Sequence, residues 1–451
     1  MDTSQQPYAE RYRPQFHFTA RQGWLNDPNG LVFSDGEYHL FFQHNPKGNE
    51  WGNITWGHAV SPDLLHWHQL PNAIEPYEGG TIFSGSAVVT SRHGAADGTE
   101  ARMVAFFTHA KEPFGQAAAH STDRGRTWRL CAGGKDLVPN QGQDPGERDP
   151  RVFRHEPSRM WIMVLWVKRG VVRLFNSEDL VTWRTASDVH LPDFYECPDL
   201  FELPVDGDQE RRLWVLHDAG FQYWLGTFDG QTFSPIAGPF RGDLGSHFYA
   251  AQTWNNTKDR VIQIAWMRGG SYPDMPFNQQ MSFPCELSLR TLRHGVRVCR
   301  NPVKEIEGLY AERFVLEDQT IQPPENPLRD ISGSLLDIEL EVEPRQAGGF
   351  SVGFHGEIVV FRQNTLTCLG KSVELAPLHG VIHLRILVDR TSVEVFGNRG
   401  EVSLTSCFLP QNDQAGLTFH TDGAPVHLRY AAVRKLRSIW QEAPDTKPRA
   451  G

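Results

Sequence analysis

Four times between residues 61 and 233 the chain spells a short Ser/Thr-x-Asp turn followed by an aromatic residue. Ser61-Pro62-Asp63 leads to Trp67, Ser121-Thr122-Asp123 to Trp128, Ser177-Glu178-Asp179 to Trp183, and Thr227-Phe228-Asp229 to Phe233. The repeat starts are 60, 56 and 50 residues apart. Two apolar runs precede each turn: Tyr38–Gln43 with Thr55–Val60, Met103–Thr108 with Ala117–His120, Trp161–Val167 with Val171–Asn176, and Leu213–His217 with Tyr223–Gly226. Each unit therefore reads strand, strand, turn, aromatic strand. Arg260–Met267 followed by Glu286–Val298 supplies a fifth, degenerate copy. A unit this small cannot bury its own apolar faces and must stack on its neighbours. Five four-stranded sheets set radially form a β-propeller, whose closure protects the strand edges and leaves a central channel. A run of β-sandwich domains is the structural alternative, with shorter and more even strand spacing.

The pattern changes beyond residue 300. Asn301–Asp330 is rich in proline and charge, breaks the repeat, and reads as a linker. Leu336, Ile338, Leu340 and Val342 then alternate with Asp337, Glu339, Glu341 and Glu343, as in a half-buried antiparallel strand. Ile382, Leu384, Ile386 and Val388 alternate similarly, and Gly397-Asn398-Arg399-Gly400 reads as the turn of a hairpin. The expected architecture is all-β: a five-bladed propeller over 1–300, a linker over 301–330, and a β-sandwich over 331–451. The sandwich carries no cluster of catalytic residue types and reads as a stabilising accessory domain.

Bulk properties narrow the partners. A chain of 451 residues suggests two domains. Its net charge of −10 argues against nucleic acid or an anionic membrane and suits a neutral substrate. The longest apolar runs fall far short of the ~20 residues of a membrane span. Six cysteines lack paired spacing and 19 histidines are scattered, so neither a metal site nor a disulfide framework is indicated, and no cofactor is expected. Met1–Phe16 is polar and has no apolar signal-peptide core. As written the chain reads as cytoplasmic; a secreted protein with its signal removed would look the same. The 13 Trp provide flat faces for core packing and for stacking on sugar rings.

Propeller loops converge at one end of the axis, so acidic residues far apart in sequence can meet there. Three stand at the starts of successive units. Asp27 lies in Trp24-Leu25-Asn26-Asp27-Pro28-Asn29-Gly30, whose second half carries the chemistry of a tight turn. Asp149 lies in Glu147-Arg148-Asp149-Pro150, and Glu196 in Phe194-Tyr195-Glu196-Cys197-Pro198. Singly, each reads as a solvated loop carboxylate. Together they supply what hydrolysis of a glycosidic bond needs: one ionised carboxylate to attack and one protonated carboxyl to release the leaving oxygen.

These motifs, with Trp56-Gly57-His58-Ala59, Phe83-Ser84-Gly85-Ser86, His247-Phe248-Tyr249-Ala250 and Asp389–Gly400, resemble glycoside hydrolase family 32, the invertases, levanases and inulinases. The resemblance covers nearly the whole chain in order, and it implies a five-bladed propeller with a C-terminal β-sandwich. By matching motif it implies Asp27 as nucleophile, Glu196 as acid and then base, and Asp149 as stabiliser of the oxocarbenium-like transition state. It also implies substrate contacts from Asn26, Gln43, Trp51, Phe83, Ser84, Arg148 and Trp266. The residues' own alternatives are a strand end for Gln43, core packing for Phe83 and Trp266, and turn chemistry for Ser84. Cys197 reads as a small buried neighbour that tunes Glu196.

Two departures fall where the family holds the leaving group. His247 stands where many relatives carry Asp, and Leu216–Leu225 is shorter than the Gly-rich loop often seen there. Phe201–Gly207 resembles the bacterial exo-levanase and exo-inulinase branch. The implied activity is retaining, exo-acting hydrolysis of terminal fructose from sucrose, inulin or levan. A fructosyltransferase of the same family, an inverting pentosidase on a related propeller and a non-catalytic fructan-binding propeller are the alternatives.

Overall fold

A computed structural model describes residues 8–90, 103–344, 348–411 and 416–440. The outer limits of the expected domains, 1–7 and 441–451, lie outside the described residues. Apart from two short 3-10 segments, Cys131–Gly134 and Lys304–Leu309, the described elements are β-strands. No described helix is long and apolar enough to cross a membrane.

The strands up to Pro302 form five antiparallel groups among the described residues. The first is Gly23–Ser34, Glu37–Asn45, Thr55–Ser61 and His68–Ile74, with Phe277–Asn278 added in parallel to its inner strand. The second is Thr81–Val89, Met103–Ala110, Gly115–Ser121 and Arg129–Leu130. The third is Arg148–His155, Met160–Lys168, Val171–Ser177 and Arg184–His190. The fourth is Asp199–Val205, Asp208–His217, Gln222–Phe228 and Phe233–Arg241. The fifth is Tyr249–Thr253, Ile262–Trp266, Cys285–Leu292 and Gly295–Pro302, joined to the fourth by the single parallel pair Val205 and Leu289.

The repeated aspartates cap turns. Asp179 Oδ1 accepts backbone N–H bonds from Val181 (2.9 Å) and Thr182 (2.7 Å), and Asp229 does the same for Gln231 (2.8 Å) and Thr232 (2.7 Å). In the first and second repeats the following tryptophan closes the turn by donating its indole N–H to Leu64 O (3.1 Å) or Gly125 O (3.0 Å). The first strands of the blades line the axis, where side chains must satisfy what no sheet ladder can. Arg151 meets Asp199 at 2.7 Å, Asp199 accepts from Thr253 N–H at 2.7 Å, and Asn255 donates to Ala87 O and Val152 O.

Asp27-Pro28-Asn29-Gly30 is not a chain reversal. It runs inside the 12-residue strand Gly23–Ser34, which pairs with Glu37–Asn45 and shifts register twice, between Leu25 and Pro28 and between Asn29 and Val32. Bulges accommodate the proline and the positive φ that a turn would otherwise use. Gly30 has φ 56°, and a Cβ there would lie 2.5 Å from the Phe41 ring and 2.9 Å from Trp56.

Residues 301–330 are not a linker. Asn301 and Pro302 finish the last propeller strand, Lys304–Leu309 is a short turn, and Tyr310–Ile321 is a 12-residue strand paired along Val426–Leu436. It is the edge of the sandwich's six-stranded sheet and is mostly exposed, so it lacks the apolar alternation that marks a strand. A five-stranded sheet, Gly349–Phe354 to Lys371–Glu374 with Thr418–Thr421, forms the other layer. Leu336, Ile338, Leu340 and Val342 enter the core between the sheets.

The opposite face of that six-stranded sheet is only partly solvated: Glu339, Glu341 and Glu343 keep partial exposure, while other residues of this face pack on the propeller. Leu387, Phe396 and Leu436 join Phe16, Phe18 and Leu65 of the propeller side in one apolar cluster. Asp337 is fully buried and accepts from Arg385 and from the Tyr310 hydroxyl at 2.7 Å. Further along the junction, His17 Nδ1 lies 2.8 Å from Asp389 and His17 Nε2 lies 3.0 Å from Glu394. Arg300 pairs with Asp243 at 2.7 Å and faces Glu394 at 3.7 Å. Burial works against the His17 imidazolium, but the two carboxylates outweigh it and hold its pKa up at about 9.

Candidate active site

The chemistry-bearing residues enter from the same end of the inner strands. Asp27 sits near the start of Gly23–Ser34, Ser84 near the start of Thr81–Val89, and Arg148 and Asp149 open Arg148–His155. Glu196 lies three residues before the start of Asp199–Val205, and Tyr249 opens Tyr249–Thr253. Asn26, Asp27, Gln43, Trp51, Phe83, Ser84, Arg148, Asp149, Glu196 and Trp266 all line one cavity of about 530 Å³. Asp149 (φ 68°), Glu196 (φ 44°) and Cys197 (φ 43°) are non-glycine residues held in left-handed backbone, a strain that clusters at functional sites.

Asp27 is held on both oxygens. Its Oδ2 accepts from Ser84 Oγ at 2.6 Å and its Oδ1 from Asn26 Nδ2 at 3.1 Å; Asn26 is itself oriented by the Trp24 indole N–H at 2.8 Å. Glu196 Oε2 accepts from Arg148 Nη2 (2.7 Å) and Nε (3.1 Å), and its Oε1 accepts from the Tyr249 hydroxyl at 2.5 Å. The Arg148 guanidinium stacks on Trp166, 4.4 Å from the ring centroid. Asp149 Oδ2 accepts the Cys197 backbone N–H at 2.9 Å and lies 3.8 Å from Arg148 Nε.

Burial pushes the Asp27 carboxyl above the usual carboxylate range, and the Glu196 charge adds to this against the Ser84 and Asn26 hydrogen bonds. Burial likewise pushes Asp149 up, with Arg148 opposing and the charges of Glu196 and Asp27 reinforcing it. Three carboxyl groups around one cavity cannot all stay ionised cheaply, so the cluster is predisposed to hold a proton.

Cys197 departs from the role expected of it. Its Sγ points to Asp149 (3.4 Å) and Asp27 (3.7 Å), so it contacts the two aspartates, and burial among carboxylates pushes the thiol well above its ordinary value. His247 faces the domain junction: its Nδ1 accepts the Cys407 backbone N–H at 3.1 Å and its backbone N–H donates to Thr405 O at 3.1 Å. The sandwich thereby braces the segment leading into Tyr249 from behind.

Tyr249, Arg268, Gln279 and Trp24 also line the cavity and carried no role in the sequence reading. Tyr249 and Trp24 lie within motifs already noted, so proximity to them was the available signal. Arg268 and Gln279 carry no local pattern that marks them. A larger concavity of about 790 Å³ opens at the other ends of the inner strands. Its Asp179 caps a repeat turn and its Glu202 pairs with Arg212 at 2.7 Å. Among the described residues no cluster of His, Cys, Asp and Glu is arranged to hold a metal.

Three carboxyl groups and an arginine clamp, in one mouth of a propeller braced by a β-sandwich, define a glycoside hydrolase. The chain belongs to glycosyl hydrolases family 32: residues 17–302 match the family's N-terminal domain and residues 305–435 its C-terminal domain. It is 37% identical to a levanase of Bacillus subtilis strain 168, over 97% of this chain and 72% of that protein. It is 31% identical to an extracellular exo-inulinase of Aspergillus ficuum, over 96% of each chain. Among solved structures, the exo-inulinase of Aspergillus awamori superposes with a TM-score of 0.86 at 28% identity, covering 96% of this chain and 100% of that one. A fructofuranosidase of Schwanniomyces occidentalis, complexed with fructosylnystose, superposes at 0.84 and 26% identity, covering 96% and 99%.

Proposed function

We propose that the chain is a retaining exo-β-fructofuranosidase that releases terminal fructose from sucrose or fructans by double displacement. One observation carries the reading: Asp27, Asp149 and Glu196 line one cavity, and Arg148 and Tyr249 hold both oxygens of Glu196. Asp27, fixed by Ser84 and Asn26, attacks the anomeric carbon and forms the fructosyl-enzyme. Glu196 protonates the departing oxygen, then takes a proton from the water that releases fructose. Asp149 accepts hydrogen bonds from the fructosyl hydroxyls as positive charge develops on the ring. The similar levanase and exo-inulinase support a fructan as substrate.

Asp27→Asn and Glu196→Gln each lower turnover on sucrose, inulin or levan by about 10²–10⁴-fold, the range for loss of a positioned acid or base. Near-native turnover of either variant refutes the role given to that residue. NMR of the first product distinguishes retention, which releases the β-anomer, from inversion.

A further inference from the structure

We propose that Arg268 determines which leaving groups this enzyme accepts, by donating hydrogen bonds to hydroxyls of the sugar that departs. The inference rests on the fructosidase reading and assigns a residue to its least specified part. Arg268 lies two residues beyond the strand Ile262–Trp266, lines the cavity and is exposed. Among the described residues no ion pair or hydrogen bond engages its guanidinium. Its contacts are aromatic: the guanidinium carbon lies 4.6 Å from the Tyr249 ring centroid and 5.7 Å from that of Trp266.

Stacking fixes the plane of a guanidinium while leaving its edge donors free. The residues on either side are pinned as well. Gln279 Oε1 accepts both the Trp266 indole N–H (2.9 Å) and the Gly269 N–H (3.1 Å), so the residues flanking Arg268 share one acceptor. Arg268 is thus an oriented cation with its donors unsatisfied, facing a sugar-sized cavity.

Its position relative to the acid decides what those donors meet. Arg268 packs on Tyr249, and the Tyr249 hydroxyl donates to Glu196 Oε1. The groups that would grip the fructosyl unit, Asp27, Ser84 and Asp149, come from other blades. The oxygen that Glu196 protonates belongs to the leaving group, so a side chain one ring away from Glu196 is within reach of that group. A guanidinium there binds neighbouring hydroxyls of a glucosyl or fructosyl leaving group. It gains little from a leaving group that has none.

The test compares Arg268→Ala and Arg268→Lys with the wild type on sucrose, levan and p-nitrophenyl β-fructofuranoside, whose aryl leaving group carries no hydroxyls. In Arg268→Ala, the ratio of kcat/KM for sucrose or levan to kcat/KM for the aryl fructoside falls about 10-fold or more, the loss expected of a hydrogen bond from a charged donor. Arg268→Lys recovers part of it. A ratio within twofold of wild type, from an equal loss on every substrate or no loss on any, overturns the assignment. A wild type that releases no fructose from any of the three overturns the fructosidase reading itself, which keeps the two failures apart.

Discussion

Replacing His17 with alanine removes the imidazolium that lies between Asp389 and Glu394 at the domain junction, where all three side chains are fully buried. Deleting one partner of a buried pair costs about 3–5 kcal/mol, because the remaining charge is left without compensation. The titration gives a similar size: holding the imidazolium from its ordinary 6.5 up to about 9 corresponds to roughly 3 kcal/mol. Asp389 keeps N–H bonds from Gln15 (2.8 Å) and Phe16 (2.9 Å), and Glu394 keeps those from Phe283 N–H (2.6 Å) and the Thr405 hydroxyl (3.1 Å). The expected penalty therefore lies at the lower end, about 3 kcal/mol.

The sign follows from the raised pKa of His17. Its contribution is complete below about pH 6.5 and is lost as pH rises through about 9. The carboxyls behave oppositely: against the effect of burial, His17 holds Asp389 and Glu394 below their usual range. Their share is present above that range and is lost as pH falls through the depressed values. Equilibrium denaturation of wild type and His17→Ala at pH 6 and pH 9.5, followed by tryptophan fluorescence, measures the difference directly. The variant should be weaker by about 3 kcal/mol at pH 6, with most of that gap closed at pH 9.5. A gap below about 1 kcal/mol at pH 6, or an equal gap at both pH values, would refute the role given to this charge cluster.

Tyr249→Phe removes a donor to Glu196 while keeping the ring on which Arg268 packs. A hydrogen bond to a charged group is worth about 1.5–3 kcal/mol, so kcat/KM should fall about 10–100-fold on every fructoside, and steady-state kinetics showing no change would discount the contact. Gly30→Ala places a methyl against Phe41 and Trp56 in left-handed backbone. The conformation costs ~1–2 kcal/mol and the overpacking ~1–3 kcal/mol, so its denaturation midpoint should drop clearly; a wild-type midpoint would mean that the bulge relaxes at little cost.

The sequence determined the elements whose cause is local. Each Ser/Thr-x-Asp turn carries its own cap, so the repeat and the paired strands before it were readable without a partner in view. The same holds for the hairpin at Gly397–Gly400, where Asn398, Arg399 and Gly400 all take positive φ. Asp27, Asp149 and Glu196 were legible as acidic residues at strand entrances of a closed ring, whereas the other seven candidate residues were legible only through the resemblance of their motifs to the family. Tertiary structure decided whatever depends on what lies across from a residue. Asp-Pro-Asn-Gly turns a free chain, but paired along Glu37–Asn45 it becomes two bulges. Tyr310–Ile321 is a strand because Val426–Leu436 supplies its hydrogen bonds, which its exposed, charged surface does not announce. His17, Asp389 and Glu394 are more than 370 residues apart in part, and only burial at a shared junction makes them one charge cluster. Arg268 has no sequence signature at all; stacking on Tyr249 beside Glu196 is what turns an ordinary arginine into a candidate reader of the leaving group.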